Sequence, residues 1–129
     1  MINPLKYYCS STLVLWHIKV VLCNHIHMRA LDHPPKEHIN LSRVFYALSD
    51  PVRLSIVKCI ATEGERPCGS FELSVAKSTA SHHFRVLREA GIIHMRPEGT
   101  QYINSLRKEE LDSLFPGLME AILRSSGPD

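Results

Sequence analysis

The four cysteines, Cys9, Cys23, Cys59 and Cys68, include no CxxC pair, which excludes a zinc ribbon and a thioredoxin-like redox motif. A glycine-rich phosphate loop, a GxSxG nucleophile elbow and an HExxH zinc motif are also missing. His82 and His83 are adjacent but have neither a nucleophile nor a carboxylate at fixed spacing. An enzyme is therefore not expected, and no cofactor is implied. No apolar run approaches the ~20 residues of a membrane helix. Internal repeats and low-complexity tracts are absent. Charge of one sign is scarce as well. The net charge is only +2 with histidine neutral, so any polyanionic partner must be announced by local pattern, not global balance. Eight histidines can raise that charge if the pH falls. Nothing resembles a small secreted disulfide scaffold, so the thiols are read as reduced, in a cytoplasm.

What is present suits one domain. The 129 residues are 44% hydrophobic and 22% charged, enough for a core of modest size. Composition changes along the chain. In residues 1–27, Leu13-Val14-Leu15-Trp16 and Val20-Val21-Leu22-Cys23 are apolar, but His17 and Lys19 interrupt them. Lys6 precedes an apolar patch in the manner of a signal peptide, without a clean small-residue cleavage site. Ala30 to Asn40 is polar, contains Pro34-Pro35 and reads as a linker. The expected organisation is an extension and linker over 1–40, a folded domain over 41–125 and a polar tail over 126–129.

Within the domain the apolar spacing predicts helices. Leu41, Val44, Phe45 and Leu48 fall at i, i+3, i+4 and i+7. Ser49-Asp50-Pro51 then punctuates, with Asp50 as a cap and Pro51 at the first helical position. A second helix runs to about Thr62, with Leu54, Val57 and Ala61 in one stripe, Ile56 and Ile60 beside it, and Gly64 at its end. Cys59 on this helix reads as a buried free thiol. After Arg66-Pro67, Cys68 to Leu73 reads as a short helix and Leu73 to Ala76 as a turn. Ile92–Arg96 and Gln101–Ser105 read as strands of a hairpin joined by Pro97-Glu98-Gly99-Thr100. Leu111, Phe115, Leu118 and Ile122 line a last helical region, widened by Leu114, Met119 and Leu123. Pro116-Gly117 should kink it or divide it in two.

The chemistry concentrates in Leu73 to Gly91. Ser78 is a candidate N-cap, and Gly91 sits where a helix would stop. Ala80, Phe84 and Leu87 recur at helical spacing and form a core face. The opposite face carries Lys77, Ser78, Thr79, Ser81, His82, Arg85 and Arg88, with Glu89 as its only acid. Such donors and small hydroxyls suit phosphates and base edges of DNA, although a merely solvated face has the same composition. His82 and His83 project about 100° apart, so only one can share that face.

Asp50-Pro51-Val52-Arg53 and Ser81-His82-His83-Phe84 with Leu87-Arg88-Glu89-Ala90-Gly91, in this order and spacing, resemble the ArsR/SmtB family of winged helix-turn-helix repressors. The resemblance covers roughly Leu41 to Leu123. It implies a mainly α fold with a small β-hairpin wing (α+β). It also implies a homodimer built from the first and last helices, and a pseudo-palindromic DNA operator. In that frame Lys77, Ser78, Thr79, Ser81 and His82 approach bases or adjoining phosphates, while Arg85, Arg88 and Arg96 contact phosphates. The dimer stripe is Leu41, Val44, Phe45 and Leu48 with Leu111, Phe115, Leu118 and Ile122. Family chains usually begin near the position of Met28, so residues 1–27 are either outside the native start, a poorly ordered extension, or an added helix against a partner. The alternative function is an interaction or dimerisation module that keeps the fold without specific DNA binding.

The chain departs from the family pattern in several places. Ser74 stands where relatives often place glycine in the turn. Thr100 and Gln101 follow the wing glycine where relatives are often basic. Metal-sensing relatives carry a CxC pair at positions that fall near Glu65 and Pro67 here, beside Cys68 alone. Others place Asp and His ligands along the last helix, where Glu110, Asp112 and Glu120 stand without histidine. A tetrahedral soft site needs about four ligands, so no metal is expected. The alternative is Cys68 completed by Cys9 and Cys23, with His25 and His27, from a partner's N-terminal arm. No effector is indicated.

Overall fold

Asp50 and Pro51 turn the chain as their chemistry dictates. In the computed structural model, which describes residues 30–125, helix α1 spans Leu41–Leu48 and helix α2 spans Pro51–Glu63. The side chain of Asn40 caps α1 by accepting from the Arg43 N–H at 3.0 Å. Asp50 caps α2 in the same way through the Arg53 N–H, also at 3.0 Å, and Pro51 occupies the first turn, where a missing N–H costs nothing. Gly64 ends α2 with φ +85°. A two-residue strand β1, Arg66–Pro67, leads into a 3₁₀ turn over Cys68–Ser70. Helix α3 spans Lys77–Glu89, followed by strands β2 (Ile93–Glu98) and β3 (Gln101–Leu106) and helices α4 (Lys108–Leu114) and α5 (Leu118–Arg124).

The sheet is antiparallel, in the order β1-β3-β2. Glu98 pairs with Gln101, so the wing turns through Gly99 and Thr100 alone, with Gly99 at φ +59°. Pro97 is tolerated because β2 is an edge strand. The core lies between α1, α2, α3 and the sheet. Val44, Ala47, Ile56, Val57, Leu87, Ile92, Ile93, Leu111 and Met119 are all at most 1% exposed. This is a winged helix-turn-helix, mainly helical with a small sheet.

Several local expectations are corrected. Cys68–Leu73 does not form an α-helix. The Arg66 guanidinium donates to Ser70 Oγ (2.9 Å) and to the Ser70 carbonyl (3.2 Å), and the Ser70 hydroxyl donates to the Pro67 carbonyl. These side-chain bonds take the place of helical ones, and Phe71 is already extended. No non-glycine residue has positive φ among those described, so Ser74 carries no left-handed strain. The buried stripe of α2 is Ile56, Val57 and Ile60 together with Arg53, and Leu54 and Ala61 are only half-buried. Cys59 is half-exposed, accepting from Arg66 at 2.8 Å and donating to Glu63 at 3.5 Å. The last helical region is divided as expected, with Gly117 at φ +84° between α4 and α5.

Residues 30–40 lie against the domain as a strap. The Met95 N–H donates to His33 Nε2 at 2.9 Å, and Arg107 donates to the Pro34 carbonyl at 2.7 Å. Ile39 is buried against Gly91. A Cβ at position 91 would stand 2.5 Å from Ile39 Cγ1, and φ there is +79°, so glycine is required twice over. The extension expected over residues 1–27 and the tail over 126–129 lie outside the described residues.

Candidate nucleic-acid interface

The α3 helix divides its residues cleanly. His83, Phe84 and Leu87 are buried, and Phe71 meets Phe84 edge-on at 5.2 Å. Lys77, Ser78, Thr79, Ser81, His82 and Arg85 are exposed. Ser78 is not the N-cap. The helix begins at Lys77, two residues earlier than that cap would place it, and Ala76 occupies the cap position with no side-chain bond. The first intrahelical bond runs from the Ala80 N–H to the Ala76 carbonyl at 2.9 Å. Ser78 thereby lies exposed on the first turn of the helix. Ser81 Oγ donates back to the Lys77 carbonyl at 3.0 Å. Arg85 lies 3.1 Å from His82 Nδ1, which holds both side chains along one edge.

Two of the three arginines expected at phosphates are differently placed. The Arg88 side chain is 14% exposed, touches Glu89 only at 3.5 Å, and its buried Nε has no partner. Arg96 on β2 donates to both carboxylate oxygens of Glu65 at 2.9 and 3.1 Å and to Glu98 at 3.0 Å. Two acids therefore hold the basic residue of the wing, and its local charge is not positive. Of the three, Arg85 is the one on the open face, beside His82.

Two polar ties hold the parts of the domain together, one between the middle of α3 and the start of α2 and one between β3, β1 and the 3₁₀ turn. On the α2 side, His83 Nδ1 stands 3.8 Å from Asp50 Oδ1. Burial raises the Asp50 carboxyl's affinity for a proton, but the Arg53 N–H and guanidinium and the nearby His83 outweigh it and keep the group below its ordinary range. Arg53 itself is buried, donating to the Ala47 carbonyl (2.6 Å) and the Tyr46 carbonyl (2.9 Å) while covering the Tyr46 ring. On the wing side, fully buried Asn104 donates to the Arg66 carbonyl (3.3 Å) and to Cys68 Sγ (3.1 Å).

The apolar surfaces complete the picture. Leu41, Phe45, Tyr46 and Leu123 are exposed, and Leu48, Phe115, Leu118 and Ile122 are half-buried. Val44 and Leu111 are at most 1% exposed and belong to the protomer's own core, so they are not available to a partner. The expected stripe is thus split, since Val44 lies with Ala47 on the side of α1 that faces the core.

Comparison with known proteins decides the lineage. A helix-turn-helix domain profile matches residues 48–96. An uncharacterized HTH-type transcriptional regulator of Bacillus subtilis, YceK, is 38% identical over 85 residues, covering 63% of this chain and 84% of the relative. The regulator MJ1325 of Methanocaldococcus jannaschii is 37% identical over 82 residues, 60% of this chain and 92% of the relative. A cadmium resistance transcriptional regulatory protein, a CadC homolog of Staphylococcus aureus, is 37% identical over 86 residues, 64% of this chain and 70% of the relative. The chain belongs to the ArsR/SmtB family.

As a member of that family it is a transcriptional regulator with a helix-turn-helix DNA-binding domain. Sequence reasoning missed four structural partners in this ArsR/SmtB protein: the Glu65 clamp on Arg96, the Arg53 tie to α1, the Asn104 bridge and the His33 strap. The Asp50-Pro51-Val52-Arg53 motif held a signal for Arg53, since a cation three residues past a capping acid folds back onto the corner. The other three join residues far apart in sequence, and no spacing rule reaches them. No helix among the described residues is long and apolar enough to cross a membrane.

Proposed function

We propose that this chain is a homodimeric, cytoplasmic transcriptional repressor that reads a pseudo-palindromic operator with α3. The observation that carries the reading is the exposed face of that helix. Lys77, Ser78, Thr79, Ser81, His82 and Arg85 all lie open, and the buried face anchors α3 on the core. Ser81 and His82 sit early in the helix, the part that enters the major groove in helix-turn-helix docking, and they meet base edges. Lys77, Ser78 and Thr79 approach bases or the adjoining phosphates, and Arg85 meets a phosphate. Arg88 and Arg96 contribute to phosphate binding only by leaving their present surroundings. The partner protomer covers the exposed apolar residues Leu41 and Phe45 of α1 with Leu118 and Ile122 of α5, and two-fold symmetry then matches two half-sites. Tyr46 and Leu123 border that surface.

The cadmium named for one relative does not carry over. The positions flanking Cys68 are Glu65, engaged with Arg96, and Pro67, which has no donor side chain. Cys68 itself takes the Asn104 amide, and burial pushes its thiol up, away from the thiolate a soft metal requires. No group of three or more His, Cys, Asp or Glu residues converges among the described residues. Cys9 and Cys23 lie outside them. The described residues do not fit the metal.

The test is fluorescence anisotropy of the protein on DNA from upstream of its own gene and on random DNA, with salt varied, and sedimentation to count protomers. A repressor of this kind binds its upstream DNA tightly as a dimer, with affinity falling steeply as salt rises. Equal binding to both DNAs at every salt concentration would remove the sequence-specific reading.

A further inference from the structure

A cleft of about 510 Å³ opens between α3, the wing and the strap. Its volume lies within the range of small-molecule sites. Leu31 of the strap, Phe84 of α3 and Met95 of β2 give it apolar walls, and Lys77, Arg85 and Arg88 stand around them. None of the residues lining it is acidic. Three other cavities each carry two carboxylates: Glu109 and Glu110, Glu63 and Glu72, and Asp112 and Glu120. Arg88 adds a second observation. Its side chain is mostly buried and its Nε has no partner, with Glu89 touching only the far end of the guanidinium at 3.5 Å. DNA phosphates would account for exposed cations on α3, but not for an apolar cleft with a half-satisfied guanidinium in its wall.

We propose that this cleft binds a small amphipathic carboxylate, with its apolar body against Leu31, Phe84 and Met95 and its head on Arg85 and Arg88. A planar carboxylate matches the fork of a guanidinium, and a low-dielectric wall strengthens the pair. Ser78, Ser81 and His82 also line the cleft, so the same molecule would stand where α3 meets DNA, making it an inducer. That regulatory consequence rests on the DNA-reading role proposed for α3, whereas binding of the carboxylate does not.

The experiment titrates the full chain, free of DNA, with decanoate, decanol and decylamine by calorimetry. Decanoate should bind about tenfold or more tighter than decanol, and decylamine more weakly than either. Arg85→Gln and Arg88→Gln should each narrow the gap between acid and alcohol, and Ala80→Leu, which fills the cleft, should weaken both. Methyl NMR on the unaltered protein keeps the test independent of whether the variants fold. The Leu31, Ala80 and Met95 methyls should shift, and the Met119 methyl in the core should not. Equal affinity for acid and alcohol, or shifts at Leu41 and Leu123 on the exposed apolar face instead, would overturn the site. Anisotropy on upstream DNA then separates the two claims. Decanoate that binds the cleft without displacing bound DNA overturns the inducer role and leaves the site standing. Absence of DNA binding altogether removes the reading role of α3, while the titration still decides the cleft.

Discussion

Helices α2 and α3 are each thirteen residues long and lie side by side in the core, yet they begin in opposite ways. The α2 helix opens on a capping aspartate and a proline, and Arg53 in its first turn is locked onto the end of α1. The α3 helix opens on Ala76, whose side chain caps nothing, and its first turn is all lysine, hydroxyls and alanine. The first amides of α2 are served by the protein, whereas those of α3 are left to whatever approaches. A helix that uses up its own N-terminal donors is scaffold. One that leaves them open, beside exposed hydroxyls, can offer them to an anion.

The most severe way to break this contrast is to remove what α3 shares with α2, its anchor. Phe84→Ala should cost about 3–5 kcal/mol in chemical denaturation, because a 4% exposed ring packed on Phe71 leaves a cavity. A cost near that of a surface change would show that the ring is not core. Next comes the open face. His82→Ala should lose roughly 1–3 kcal/mol of discrimination between upstream and random DNA if it meets a base. Arg85→Ala should weaken both DNAs alike and lower the salt slope by about one contact. Full specificity in His82→Ala would mean that α3 docks in another orientation.

The two helix starts can be compared directly. Asp50→Ala should cost about 1 kcal/mol of stability, within a range of roughly 0.5–2 for lost caps. Ser78→Ala should leave thermal stability unchanged and show only in DNA affinity. Equal losses of stability would restore Ser78 as a cap. On the wing, Glu65→Gln should release Arg96 from its strongest partner, tighten binding to any DNA modestly and steepen the salt dependence by up to about one contact. An unchanged salt slope would mean that the wing stays clear of the phosphates.

The smallest effect concerns the far end of α3, where the strap crosses to β2. Burial, the stacked His94 ring at 4.3 Å and the Arg88 and Arg107 guanidinium groups push His33 below its ordinary pKa, against a raising bond with Leu31. Its Nε2 already accepts from Met95, so the folded state holds the ring neutral. The unfolded chain therefore takes up the proton first, at about pH 6.5. Stability should fall as pH drops through that value toward the lower native one, and stay flat above it. His33→Gln, which keeps an acceptor but cannot titrate, should reduce this dependence in thermal unfolding between about pH 5 and pH 8. Identical pH profiles for the two proteins would remove His33 from the account.

Much of the fold was legible because it is written locally. Asp50-Pro51, Gly64, the Phe84–Leu87 spacing, Gly91 and Gly99 fix helix ends and the hairpin through residues within one turn of each other. What escaped is written at a distance. The two residues of β1 pair with Ile103 and Asn104, which no local pattern announces. The strap looked like a linker because its polar residues do their work across the fold, His33 on Met95 and Lys36 on Ser113. The exposed face of α3 could be read from periodicity, but the fate of Arg88 and Arg96 could not, since burial and Glu65 decide it. The α1 stripe failed at Val44 because a helix with apolar residues on two faces does not say which face turns inward.

The Arg53 corner has a consequence for measuring distance along DNA. On the proposed dimer, the separation of the two reading helices depends on how firmly each is joined to its own α1. That joint is Arg53 on the Tyr46 and Ala47 carbonyls, Asp50 on the Arg53 amide, and His83 of α3 beside Asp50. Hydrogen bonds span the α1–α2 corner, and buried packing with the 3.8 Å His83–Asp50 contact carries it on to α3. The dimer would then act as a caliper of fixed opening. It would reject a site whose half-sites are moved apart by one base pair, about 3.4 Å along the helix axis, even when every base it reads is unchanged.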